Sequence, residues 1–162
     1  MTNSESILQK RIRKFKSMKR GYYSFLILFS LYIFSFLNPL FVNNKALIVR
    51  YNNEYYFPIF SFHTASTFNQ EGYGEANYRE LNTYFESEKS NNWVIMPFYP
   101  YHPNESLMSE LDGEPPHAPS KKHWFGTDNR ARDVFARMIY GFNITISFGV
   151  VVTTISYLIG VT

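Results

Sequence analysis

Two stretches without a single charged side chain divide this sequence: Gly21 to Val42, 22 residues, and Met138 to Thr162, 25 residues. Neither composition suits an aqueous surface. As a helix rising about 1.5 Å per residue, the first would reach roughly 33 Å, enough for a hydrocarbon core of about 30 Å. Tyr22, Tyr23 and Phe41 fall towards its ends, where ring side chains favour the membrane interface, and Asn38-Pro39 falls near the far end, where a helix tolerates a break. Buried helices of soluble proteins are usually shorter and less uniformly apolar. The pattern predicts transmembrane helices over 21–42 and 138–162. In the second, Gly141, Gly149, Gly160 and several threonines suit close contact with another helix.

Charge is distributed around these stretches in a way that sets orientation. Residues 1–20 carry seven Lys or Arg against one Glu, whereas residues 43–137 carry nine basic against twelve acidic residues. The basic pI therefore reflects one short tail beside a hydrophobic run and is no footprint for nucleic acid. Short Lys/Arg-rich segments are retained in the cytoplasm, so the N-terminus is expected there and residues 43–137 on the far side. A cleaved signal peptide is the rival reading of the tail. Its apolar core would be too long, and Val42-Asn43-Asn44-Lys45 lacks the small-x-small pattern of a cleavage site. Cysteine is absent, which excludes disulfides and thiolate metal sites.

The expected architecture is a mainly α membrane protein: two transmembrane helices flanking a small mixed α/β periplasmic excursion and an amphipathic interfacial helix. Its segments are a basic cytoplasmic tail (1–20), the first span (21–42), the excursion (43–122), the interfacial segment (123–137) and the start of a membrane domain (138–162). Within the excursion, Ala46–Tyr51 and Glu54–Phe60 are rich in β-branched and aromatic residues and flank Asn52-Asn53, which predicts a hairpin. Asn77 with Glu80 resembles a capping box, and Leu81, Tyr84, Phe85 and Glu88 continue at helical spacing, predicting a helix over about 77–89. Trp93–Met96 reads as a further strand. Six prolines from Pro97 to Pro119 predict an extended connector back to the membrane.

Residues 123–142 carry the most information. Gly126 permits a tight turn, Thr127 or Asp128 can accept hydrogen bonds from free backbone N–H groups, and Ala131, Val134, Phe135, Met138 and Ile139 mark an apolar helical stripe. Asp133 precedes Arg137 by one helical turn, the favourable order for an ion pair. No enzyme signature competes with this reading. His63, His102, His117 and His123 lack metal-site spacing and read as solvated or capping side chains, and no catalytic triad order is recognisable. Glu71, Glu75, Glu80, Glu86 and Glu88 read as a solvated acidic surface. No metal, cofactor or nucleotide-binding Walker motif is indicated.

The run Gly126-Thr127-Asp128, Arg132-Asp133, Arg137 and Tyr140-Gly141, with Ser147 in register, resembles the inner-membrane permease subunits of ABC importers for dipeptides and oligopeptides. Within that family the chain is most similar to the microcin C type of permease. The likeness lies in Asn38-Pro39-Leu40, Tyr56-Phe57-Pro58, Ala76-Asn77-Tyr78-Arg79, and Ala131 where most peptide permeases have Gly. Asn143 departs from the family's usual Arg. The resemblance implies the N-terminal part of a pore-forming subunit that pairs with a second permease. It also implies ATP-binding subunits, a periplasmic peptide-binding protein and contact with membrane lipids. The family residues would form scaffold and outer interface and would not be catalytic. A two-span membrane-anchored periplasmic scaffold without transport activity is the alternative reading.

Overall fold

The computed structural model describes residues 6–88 and 91–161. Helix α1 (Ile7–Ser17) is closed by a reciprocal cap in which the Ser6 hydroxyl accepts from the Gln9 N–H and the Gln9 side chain accepts from the Ser6 N–H. So the basic tail is helical from Ile7 to Ser17. The chain breaks at Met18 and continues as α2 (Lys19–Ser35), and Phe15 folds back against Tyr22 and Phe25 with ring centroids 5.9 and 5.6 Å apart.

α2 ends earlier than the first apolar stretch does. Pro39 supplies no N–H and its ring crowds the preceding turn, so the helix stops at Ser35 and a separate short helix, α3 (Asn38–Phe41), follows. The predicted single helix over 21–42 is thus a helix of 17 residues, a break, and a helix of four. Among the described residues only α5 (Val134–Val161, 28 residues) is by itself long and apolar enough to cross a membrane. Ala136 alone is buried along α5, while Ile144, Phe148, Val151, Ile155 and Leu158 are exposed. A helix that is apolar all round and uncovered requires surroundings other than water.

α2 and α5 run antiparallel and are joined by a ladder of polar contacts. Tyr32 Oη and Ser147 Oγ lie 2.8 Å apart, Asn143 Nδ2 donates to Ser35 Oγ at 2.7 Å, and Asn38 Nδ2 donates to the Ile139 carbonyl at 3.2 Å. Steps of three from Tyr32 through Ser35 to Asn38, the first residue of α3, meet steps of four along α5, the spacing at which helix residues share a face. Between the helices, Asn143 makes a neutral hydrogen bond at the position where the resembling family has Arg.

The excursion forms a small domain. Strands β1 (Ile48–Tyr51), β2 (Glu54–Tyr56) and β3 (Trp93–Ile95) make an antiparallel sheet in the order β2-β1-β3, with Val49 opposite both Tyr56 and Val94. Asn52 and Asn53 take φ of 50° and 67°, as the two-residue hairpin demands. β2 stops at Tyr56 rather than Phe60. Pro58 cannot donate to a ladder, and Phe60 and Ser61 turn back to donate to the Phe57 carbonyl. Helix α4 (Tyr78–Glu88) covers the sheet, its first turn capped by Asn77 Oδ1, which accepts from the Glu80 N–H at 3.3 Å; Lys89, predicted as its last residue, lies outside the described residues. Tyr78, Leu81 and Phe85, one helical face, close the core against Val49 and Phe68.

The proline-rich segment is more constrained than an extended connector. Arg79 of α4 donates to the Pro100 carbonyl and to the carboxylates of Glu105 and Glu110, and its guanidinium lies over the Tyr101 ring. Burial would pull the Arg79 pKa down, but the two glutamates outweigh it and raise it, so this charge is permanent. Glu75 likewise is no free surface charge, lying 2.8 Å from Lys45 Nζ.

The ladder predicts a measurable coupling between the two long helices. A double-mutant cycle of Tyr32→Phe and Ser147→Ala, read by unfolding in detergent, should give an interaction energy of about 0.6 kcal/mol, with an upper bound near 1.7 kcal/mol. A coupling of zero would show that the rung is not formed.

Candidate functional site

The family-like residues do not lie along an interfacial helix. Residues 123–133 form a knot of turns, and helical backbone begins only at Val134, from which it runs unbroken into the apolar stretch. Two local causes prevent an earlier start. Gly126 and Ala131 both take positive φ, 71° and 55°, and the Asp128 side chain captures backbone N–H groups that a helix would have used.

Asp128 organises the outer half of the knot. Its Oδ1 accepts from the backbone N–H groups of Arg130 and Arg132 at 2.9 and 3.0 Å. Its Oδ2 accepts from Arg132 Nε and Nη2 at 2.9 and 2.7 Å, and from Arg137. Burial by itself pushes the Asp128 carboxyl up. The hydrogen bonds and charge of Arg132 outweigh that and hold it well below the usual carboxylate range. Arg137 thus pairs with Asp128 and not with Asp133 as the one-turn spacing predicts.

Asp133 has a different task. It is fully buried, and its Oδ1 accepts from the Ala136 N–H at 2.8 Å. That is the bond of an N-cap, placed where the helix dipole favours a carboxylate. Its Oδ2 accepts from Tyr99 Oη at 2.6 Å and lies 2.8 Å from His123 Nδ1. Burial, and then the Asp133 carboxylate, raise the Tyr99 pKa, so the phenol stays a donor. His123 was expected to be solvated or capping; it is buried because Tyr101 and the knot close over it, its ring 4.5 Å from that of Tyr101.

The remaining residues of the motif hold the knot to its surroundings. The Thr127 N–H donates to the His117 carbonyl at 3.0 Å, and Thr127 Oγ1 accepts from the His117 N–H at the same distance. Gly126 lies so close to that strand of chain that a Cβ on it would stand 2.3 Å from the His117 carbonyl oxygen. Ala131 is buried, and its carbonyl accepts from Leu107 N–H at 2.9 Å. Tyr140 Oη donates to the Val42 carbonyl at 2.8 Å, tying α5 to the end of α3. Gly141 has open space where a side chain would be, so nothing within the chain requires glycine there.

The structure therefore gathers Gly126, Thr127, Asp128, Arg132, Asp133 and Arg137 into one joint, with Tyr140 one turn below and Gly141 facing away from any contact. Tyr99, which the sequence does not point to, and His123, expected there to be solvated or capping, both belong to this joint. Tyr99 sits 34 residues before Asp133, and nothing in its local pattern marks it. Ala131 did carry a signal, because a site where relatives use Gly is one where positive φ is expected. Every carboxylate of the joint is engaged by a donor within it. The arrangement fixes the start of α5 against the excursion.

The comparisons with known proteins agree in kind. The chain is 31% identical, over 99% of its length, to the inner membrane ABC transporter permease protein YejE of Escherichia coli (strain K12). It is 29% identical, over 95% of its length, to the peptidoglycan transport system permease protein YejE of Agrobacterium fabrum. A shorter part, 42% of the chain, is 44% identical to the dipeptide transport system permease protein DppC of Bacillus subtilis. The chain spans about half the length of the first two, 47% and 46%, and 20% of the third. No family model and no solved structure matches. All three relatives are named as permease proteins, the first of an ABC transporter and the other two of transport systems.

The geometry of the joint sets what substitution should do at Gly126, Ala131 and Asp128. Gly126→Ala should destabilise the excursion by more than the roughly 1–2 kcal/mol of a left-handed alanine, because the His117 carbonyl must also move. Ala131→Gly should leave stability unchanged or raise it by up to about 1 kcal/mol; urea unfolding followed by tyrosine and tryptophan fluorescence reads both. For Asp128 the folded pKa is depressed, so its stabilisation is complete above the unfolded value of about 3.9 and is lost as pH falls towards the folded one. Wild type should lose stability progressively below about pH 4, and Asp128→Asn, already lacking the contribution, should show a flatter acid limb in the same assay.

Proposed function

We propose that this chain is the N-terminal part of a permease subunit of an ATP-driven importer in the bacterial inner membrane, carrying peptides or peptide-bearing compounds. Likeness across nearly its whole length to an inner membrane ABC transporter permease carries this reading. In it, α2 with α3, and α5, are the two membrane-crossing segments, the helical basic tail lies in the cytoplasm and the excursion faces the periplasm. The seven Lys and Arg of residues 1–20 support that orientation. The uncovered apolar surface of α5 supports its immersion in lipid and against further helices.

A second permease would complete the translocation path, separate ATP-binding subunits would drive it, and a periplasmic peptide-binding protein would deliver cargo to the excursion. The knot around Asp128 and Asp133 acts as the rigid joint between that receiving surface and the first helix of the membrane domain. The finer reading, a cargo of the microcin C type, rests on the sequence likeness of residues such as Asn38-Pro39-Leu40 and Tyr56-Phe57-Pro58.

Purification of the tagged native protein from detergent-solubilised membranes of its own cells tests the proposal. An ATP-binding subunit and a second permease should come with it. A folded protein that purifies without either would replace the importer reading with that of a membrane-anchored periplasmic scaffold.

A further inference from the structure

One group of large side chains rests on the edge of the joint, against Tyr99 and Phe135, and still leaves much of its surface uncovered. Phe98, Trp124 and Phe125 are 78%, 42% and 50% exposed, yet they form one connected cluster. Phe98 meets Trp124 at 5.9 Å between ring centroids, and Trp124 and Phe125 meet Phe135 at 4.8 and 5.6 Å. Phe135 belongs to the first turn of α5, so the exposed rings are continuous with the uncovered apolar helix. Monomeric soluble surfaces rarely carry such contiguous patches without a purpose.

The charge around the cluster is one-sided. Lys121 and Lys122, just before Trp124 in sequence, and Arg130, within the same knot of turns, are exposed, and residues 121–137 hold five basic against two acidic side chains. Both acids, Asp128 and Asp133, are already engaged within the joint. The surplus positive charge on the outer side opposes the usual topological bias and calls for an anionic neighbour.

The position of the cluster along α5 identifies that neighbour. Phe135 precedes Met138, where the uncharged stretch begins, by three residues, about 4.5 Å along a helix. The polar layer on each side of a bilayer core is roughly 5–8 Å deep. Rings packed on Phe135 thus fall in the headgroup layer when α5 crosses the membrane. Amphipathic indoles and basic side chains are both favoured at that depth.

We infer that Phe98, Trp124 and Phe125 form a wedge seated in the outer leaflet at the headgroup–acyl boundary, with Lys121, Lys122 and Arg130 placed at anionic lipid phosphates. This rests on the membrane-crossing reading of α5 proposed above. The wedge sets the depth and tilt of the joint, and through it the height at which the excursion stands over the membrane.

The chain holds two tryptophans, Trp93 and Trp124, so Trp93→Phe leaves a single reporter in the wedge. The variant is reconstituted in vesicles of phosphatidylethanolamine and phosphatidylglycerol containing phosphatidylcholine brominated either near the headgroup or deep in the acyl chain. Trp124 emission should fall more with the shallow quencher than with the deep one. A reference chain with Trp93→Phe, Trp124→Phe and Phe148→Trp reports from the middle of α5, where the deep quencher should dominate. Quenching of the reference with none of Trp124 overturns the wedge and leaves the span intact. Absence of quenching in both overturns the span and the wedge with it. Loss of Trp124 quenching when a second permease subunit is co-reconstituted would assign the surface to that protein and overturn the lipid assignment.

Discussion

The buried carboxylate of Asp133 is the interaction on which the arrangement of this chain depends. It receives the Ala136 N–H from the first turn of α5, the hydroxyl of Tyr99 from the segment after β3, and the imidazole of His123 from the knot. A buried acid of this kind is tolerated only when its lone pairs are filled, and each donor left without it would cost about 1–3 kcal/mol. The start of the long apolar helix, the placement of Tyr99 and the closing of the turns around His123 are therefore one cooperative event. The cluster of Val42, Tyr99, Tyr101, Leu107, Ala131 and Ala136 packs around that point.

Two aspartates five residues apart are kept to separate work by their surroundings. Asp128 faces partly outward and collects two arginines, whereas Asp133 faces inward and collects neutral or imidazole donors. Neither can act as a base on a passing molecule, since each is committed to structure. Both carboxylates are spent on holding the start of α5 in place. Arg79 does for the excursion what Asp133 does for the joint, binding Glu105, Glu110 and the Pro100 carbonyl so that the prolines hold a fixed course.

What could be read beforehand was local. The hairpin at Asn52-Asn53 and the helix after Asn77 follow from neighbours in sequence, and both are present within a few residues of expectation. The apolar run of α5 was visible for the same reason. The knot was not, because a helical stripe of Ala131, Val134 and Phe135 looks the same whether or not the first member takes positive φ. Arg137 lay one turn from Asp133 in sequence, but the deciding partner, Asp128, competes through a turn that spacing rules do not describe. The burial of His123 depends on Tyr99 and Tyr101, more than twenty residues away, and long-range contacts of that sort leave no periodic trace. Tyr32, Ser35 and Asn38 are polar positions at steps of three within an apolar run, and their ladder to α5 was legible in principle.

The length of α5 has a mechanical consequence. Its 28 residues make a rod of about 42 Å, clamped at one end by the Asp133 cap, the Tyr140 bond to Val42 and the packing of Phe135. The polar ladder to α2 accompanies it as far as Ser147, so a rotation of the clamp carries α2 along. A rotation of the clamp by only about 5° would swing the opposite end through nearly 4 Å, given that rise per residue, so a small adjustment at the joint arrives at the far end of the rod magnified.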